Sequence, residues 1–216
     1  MLTSKIYHLL FTGILSITSL STYANNDVTV YESDANYHYR IPAIVADVSE
    51  QPTRLYAFSE KRHSGTNLKC GDSGEIDIVM KTSNDNGIHW SSESIVAGDT
   101  NISAEIGTKD AYTNPTVLYT KNNIHLIFNT HLRSQCASGK HVLSSQRMKV
   151  GDRKFWHSYS SNGGKTWSKA KQITIPSNLR DRVDMVGPGN GIMTKDGRLI
   201  FPASGKNLIS NDYGKT

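Results

Sequence analysis

The chain has 216 residues, 20% of them charged and 37% hydrophobic, with 17 Gly and 6 Pro; this composition is globular, near the length of one large domain, and excludes a disordered chain. The formal charge of +5 is carried without a long Lys/Arg run or a recognised nucleic-acid motif, so the surface suits anionic ligands and a nucleic-acid partner is not expected.

In chain order, residues 1–24 stand apart. Lys5 supplies a positive start, Leu9 to Leu20 is a short apolar stretch diluted by Ser and Thr, and Thr22-Tyr23-Ala24 offers a small-x-small cleavage site. These features predict a secretory signal peptide, with the mature chain, 25–216, secreted or periplasmic. The stretch is too short for a membrane span, which needs ~20 apolar residues, and nothing later is long and apolar enough for one. Export also makes Cys70 and Cys136 a candidate disulfide rather than a metal pair, since no further ligand pattern surrounds them. Such a bridge would contribute ~2–4 kcal/mol.

Tyr39-Arg40-Ile41-Pro42 opens the first expected strand. The apolar run from Ile41 to Val45 would carry Arg40 at the mouth of a buried strand, where an unpaired guanidinium is costly unless an anion meets it. Arg62 in Glu60-Lys61-Arg62 and Asp72 in Cys70-Gly71-Asp72 follow. A lone arginine is more simply half of an ordinary ion pair; three demanding side chains in one stretch point to a binding site.

One pattern then recurs. Ser83-Asn84-Asp85-Asn86-Gly87-Ile88-His89-Trp90, Ser160-Ser161-Asn162-Gly163-Gly164-Lys165-Thr166-Trp167 and Ser210-Asn211-Asp212-Tyr213-Gly214-Lys215-Thr216 are copies of one turn. Asp or Asn bonds its own backbone, Gly takes the positive φ, and the closing Trp packs the turn onto a sheet. Strands are expected over 40–46, 54–59 and 76–82 before the first copy, over 115–119, 124–130 and 155–160 before the second, and over 191–193, 198–202 and 206–210 before the third. Each turn would join the third strand of a unit to its fourth. Helical periodicity is absent after the signal peptide. Short strands in repeated sheets of four predict an all-β chain with a β-propeller fold, inner strands lining a central channel. The third copy reaches Thr216 without its Trp, so about three blades of a longer product are expected, with an open sheet edge and an uncovered apolar face.

The turn resembles the Asp-box, and Tyr39-Arg40-Ile41-Pro42 the Phe/Tyr-Arg-Ile-Pro motif, of exo-α-sialidases. Their order is also similar: Arg-Ile-Pro, Glu-Lys-Arg, Gly-Asp, then Ile76 to Lys81 and the first Asp-box. Thr113-Asn114-Pro115, Val186 to Gly191 and Asp196-Gly197-Arg198-Leu199 resemble family segments too. The resemblance covers residues 25 to 216 and implies a six-bladed propeller, with the Asp-boxes away from the ligand. It implies that Arg40 is one of three arginines gripping the sialic-acid carboxylate, through a planar fork that lysine lacks. It places Arg62 beside the sugar's 4-position and makes Asp72 the acid/base. Asn114 falls near the 4-hydroxyl and N-acetyl group, where its alternative reading is a turn residue before Pro115.

The mechanism so implied is retaining glycoside hydrolysis with a Tyr nucleophile, an exception to the two-carboxylate scheme. A neutral tyrosine activated by a glutamate avoids repulsion from the substrate's own carboxylate. Asp72 would protonate the leaving oxygen and then activate water, which leads to the expectation that solvent exclusion or a nearby carboxylate favours its neutral form. Neither the nucleophile, nor its glutamate, nor the other two arginines has a motif match in this sequence. His89 stands for Thr and Asn162 for Asp in their Asp-boxes, variations expected to be structural. No metal or cofactor is implied; the implied partners are sialylated glycans. A trans-sialidase, a non-catalytic propeller binding sialylated glycans, and an inactive truncated sialidase remain as alternatives, and a purely structural repeat would require none of Arg40, Arg62 and Asp72.

Overall fold

Alternation and turn chemistry determine the strands seen in the computed structural model, which describes residues 27–63, 72, 74–98, 110–121, 123–132, 149–181 and 184–215. The signal-peptide reading of residues 1–24 and the pairing of Cys70 with Cys136 lie outside the described residues.

The first sheet is antiparallel in the order β1 (Tyr37–Asp47), β2 (Arg54–His63), β3 (Ile76–Ser83) and β4 (Ser94–Ala97). The second contains β5 (Asp110–Tyr119), β6 (Ile124–Leu132), β7 (Lys154–Ser160) and β8 (Lys171–Ile173), and the third β10 (Ile192–Met193), β11 (Leu199–Ala203) and β12 (Lys206–Ser210). These are three propeller blades, each built by the expected strands. The first two Asp-boxes join β3 to β4 and β7 to β8, and the third follows β12. A 3-10 turn spans Ser177–Leu179, and no α-helix occurs among the described residues.

Two strands depart from the expected plan. The inner strand of the third blade is split: β9 (Gly189–Asn190) leaves its own sheet and pairs in parallel with β5, Thr116 opposite Gly189. The inner strands are also kinked where a proline removes a ladder donor. Registers break between Arg40 and Ala43 and between Thr113 and Thr116, and the residue before each proline takes a positive φ: Ile41 at 55°, Asn114 at 57° and Gly187 at 45°. These three positions are evenly spaced along the chain. For Ile41, β-branched, the left-handed conformation is a strained one that only surrounding structure can enforce.

The Asp-box turns repeat the same bonds. The first serine accepts from a glycine N–H in every copy (Gly87 to Ser83, 2.9 Å; Gly164 to Ser160, 2.8 Å; Gly214 to Ser210, 2.8 Å). The third residue accepts from the backbone beyond the glycine (His89 to Asp85, 2.9 Å; Thr166 to Asn162, 2.9 Å; Lys215 to Asp212, 3.1 Å). Asn162 supplies its amide oxygen where the others use a carboxylate. His89 Nδ1 lies 2.7 Å from the Asp85 carboxylate, where in the second copy Asn162 Nδ2 donates to Thr166 Oγ1. Both variations preserve the turn.

The core lies between the blades. Tyr56, Phe58, Ile78 and Met80 of the first blade meet Tyr112, Val117, Leu126, Phe128 and Trp156 of the second, with Trp167 edge-on to Phe58. A second cluster, Leu118, Ile127, Phe155, Val186, Leu199 and Phe201, joins the second blade to the third. Neighbouring residues such as Val117 and Leu118 face different clusters, so the middle blade is buried on both faces, and β5 and β6 are buried almost continuously even at their polar residues. On the third blade Ile192, Met193, Ile209 and Tyr213 are exposed.

Candidate functional site

Strand register sets where the charged side chains converge. Arg40 pairs with Glu60 across β1 and β2, and Arg62 with Ile76 across β2 and β3, so the start of β1, the end of β2 and the start of β3 share one end of the blade. The β1–β2 connection and the Asp-box occupy the other end. Period-2 alternation then puts Glu60 and Arg62 on the face that carries Tyr56 and Phe58, toward the second blade.

There Glu60 is fully buried and Arg62 is 4% exposed. The Arg62 guanidinium forks between two carboxylates. Its Nε donates to Glu60 Oε2 at 2.8 Å and its Nη2 to the same oxygen, while Nη1 donates to Asp72 Oδ1 at 2.7 Å. The other Glu60 oxygen accepts the Asn114 N–H at 2.8 Å, a bond made available by the positive φ that turns this peptide out of the ladder. Burial pushes the Glu60 carboxyl up from its ordinary range, against the opposing pull of the Arg62 charge and the Asn114 N–H. Arg40 Nη1 lies 3.6 Å from Asp72 Oδ1, and both side chains are more than half exposed, at 58% and 60%. The Arg40 carbonyl accepts from Ser59 Oγ at 2.9 Å, which fixes the kinked start of β1.

All four predicted residues therefore lie around one cluster. Arg40, Arg62 and Asp72 meet directly, and Asn114 joins through its backbone to Glu60. Two expectations are corrected. Arg40 is not the arginine whose burial demands an anion: the kink after it leaves it at the rim, and Arg62 is the buried one. Nor, among the described residues, is the Asp72 carboxylate met by solvent exclusion or an adjacent carboxylate: it contacts the guanidinium groups of Arg62 and Arg40, and Glu60 lies on the far side of Arg62. Arg40 offers the accessible part of the cluster's positive charge, because Arg62 already serves two carboxylates.

The second blade adds residues that no motif singled out. His131 in β6 is 3% exposed, with Nε2 3.0 Å from the Asp72 backbone oxygen. Arg153, just before β7, is buried beside it; among the described residues its Nε and Nη1 have no hydrogen-bond partner. Burial pulls the Arg153 guanidinium down, opposed by the charges of Asp72 and Asp184. Glu60 was legible as the residue two before Arg62, on the same face of a strand. His131 and Arg153 gave no local signal.

Arginines and one exposed carboxylate thus gather at the end of the propeller blades opposite the Asp-boxes. The chain belongs to the BNR repeat-like domain family, whose model matches residues 52–212. Within that family it is sialidase-like. It is 30% identical over 195 residues to an exo-alpha-sialidase of Arthroderma benhamiae, covering 83% of this chain and 44% of that protein. It is 32% identical over 185 residues to an exo-alpha-sialidase of Aspergillus fumigatus, covering 80% of this chain and 43% of that one. The chain thus spans less than half the length of these curated relatives. A Trypanosoma rangeli sialidase, in complex with 2,3-difluorosialic acid as a covalent intermediate, superposes with a TM-score of 0.58 at 19% identity, over 82% of this chain and 29% of that one; at that identity the likeness concerns the fold. No helix among the described residues is long and apolar enough to cross a membrane.

Proposed function

We propose that this chain is part of an exo-α-sialidase that hydrolyses terminal α-linked sialic acids from glycoconjugates with retention of configuration. The observation that carries this reading is the convergence of Arg40, Arg62 and Asp72, from two strands and the loop that follows them, at the end of the blades away from the Asp-boxes. Similarity to two exo-alpha-sialidases over most of the chain supports it.

Arg40, accessible at the rim, binds the sugar carboxylate in a bidentate bond. Arg62, clamped by Glu60, and Asn114 border the sugar's 4-position. A tyrosine from the remainder of the protein, giving its hydroxyl proton to a neighbouring glutamate, attacks the anomeric carbon while Asp72 gives its proton to the departing glycosidic oxygen. Asp72 then takes a proton from water, whose oxygen displaces the tyrosine; the tyrosine takes its proton back from the glutamate and the sugar leaves in its starting configuration. Arg62 holds one Asp72 oxygen, so the other is the one free to exchange the proton. Lys5, the apolar stretch after it and the small-x-small site support export of the protein.

The test is hydrolysis of a fluorogenic α-sialoside by the full-length protein, with the anomer first released followed by NMR. Turnover with release of the α-anomer supports the proposal. Saturable binding of sialylated glycans without turnover would show a non-catalytic propeller instead, and appearance of sialic acid on an added acceptor glycan a transferase.

A further inference from the structure

Asp72 is held at two points by two different blades. Arg62, in the first blade, grips its side chain. His131, in the second, reaches its backbone carbonyl. A carbonyl oxygen only accepts, so the His131 ring donates from Nε2 and carries its lone pair on Nδ1. That Nδ1 is buried and, among the described residues, unpartnered. Burial first, and the charge of Arg153 second, pull the imidazole down to about 4. At neutral pH the ring is therefore uncharged, with its tautomer set by the carbonyl it serves.

The two anchors do different things. A salt bridge from Arg62 to one carboxylate oxygen survives many backbone orientations, because the Asp72 side chain can pivot about its χ angles and keep that contact. The hydrogen bond to the carbonyl fixes the peptide plane. With both in place the direction of the carboxylate is determined, including the oxygen that Arg62 leaves free. Proton transfer demands such placement: the acid must lie within hydrogen-bond reach of the leaving oxygen, and an error of ~1 Å can cost ~10²-fold in rate.

We propose that His131 is a positioning residue for Asp72, acting through the Asp72 backbone to aim the free carboxylate oxygen at the glycosidic bond. The proposal rests on the sialidase reading. His131 touches no substrate and exchanges no proton in the reaction, so its removal affects the step that needs acid assistance and spares substrate binding.

The experiment uses the full-length protein and two substrates, a sialoside with a sugar leaving group and an aryl sialoside whose leaving group needs little protonation. His131→Leu, which keeps bulk and removes the donor, is compared with His131→Gln, whose amide nitrogen reaches the place of Nε2. His131→Asn, whose amide nitrogen falls at the place of Nδ1, is the second comparison should the leucine variant fail to fold. The expected result is a kcat lower by ~10- to 100-fold on the sugar-leaving substrate for His131→Leu and His131→Asn. KM stays within about twofold, the loss on the aryl sialoside is much smaller, and His131→Gln regains most of the rate. Equal losses on both substrates, a change confined to KM, or full activity without the donor would overturn the proposal while leaving the sialidase reading intact. A wild-type protein that turns over neither substrate overturns the sialidase reading itself.

Discussion

At the Asp-box end of the blades the same hydrogen bonds occur three times, with Asp85, Asn162 and Asp212 interchangeable as acceptors. At the opposite end, Glu60, Arg62, Asp72 and Arg40 form a chain of alternating sign rather than a repeated motif. The repeated turns are neutral or exposed and close on themselves, so a change at one is local. The charge chain runs from a fully buried carboxylate to an exposed one, so losing any member leaves a neighbour uncompensated.

The sharpest break in that comparison comes from the buried end. Glu60→Ala removes the buried one of the two carboxylates that Arg62 serves and leaves its Nε and Nη2 without their acceptor, and should cost ~3–5 kcal/mol of stability, read as a lower urea midpoint of the full-length protein. Next is Arg40→Lys, which keeps the charge and loses the fork. Loss of one charge-assisted bond, ~1.5–3 kcal/mol, should raise KM for sialosides by about tenfold or more with little change in the midpoint, because Arg40 is exposed. An unchanged KM would remove Arg40 from the site.

A pH series tests burial in the middle blade. His125 and His157 share a 3.1 Å hydrogen bond, and burial pulls both, like His131, down to about 4. The unfolded chain, with histidines near ~6.5, binds more protons between these values. Their contribution is therefore fully present above pH ~6.5, declines as pH falls, and is exhausted near pH 4. The urea midpoint should follow that window, and a midpoint flat from pH 7 to 4.5 would contradict the burial of these rings. The smallest effect belongs to the Asp-box end: Asn162→Asp restores the residue of the other two copies and should shift stability by no more than ~0.5 kcal/mol. A shift comparable to that of Glu60→Ala would end the contrast between the two ends.

Much of the architecture was legible because it is local. Three turns with fixed chemistry and runs of alternating residues define strands before any long-range contact is known, and Arg40, Arg62 and Asp72 stand out because such residues are rare at the ends of apolar strands. What escaped depends on register and on contacts between blades. The burial of Arg62 rather than Arg40 follows from the kink at Ile41, whose positive φ no propensity predicts. The step of β9 onto β5 and the reach of His131 to Asp72 join residues distant in sequence. One missed signal was in plain view: a residue before proline recurs evenly at Ile41, Asn114 and Gly187, marking the same bend in each inner strand.

If this end of the blades holds the proton donor of a sialidase, Asp72→Asn in the full-length protein removes it. Hydrolysis of a sialoside with a sugar leaving group should fall by ~10²- to 10⁴-fold, and hydrolysis of an aryl sialoside with an activated leaving group by far less. A near-normal rate on the sugar-leaving substrate would contradict the account.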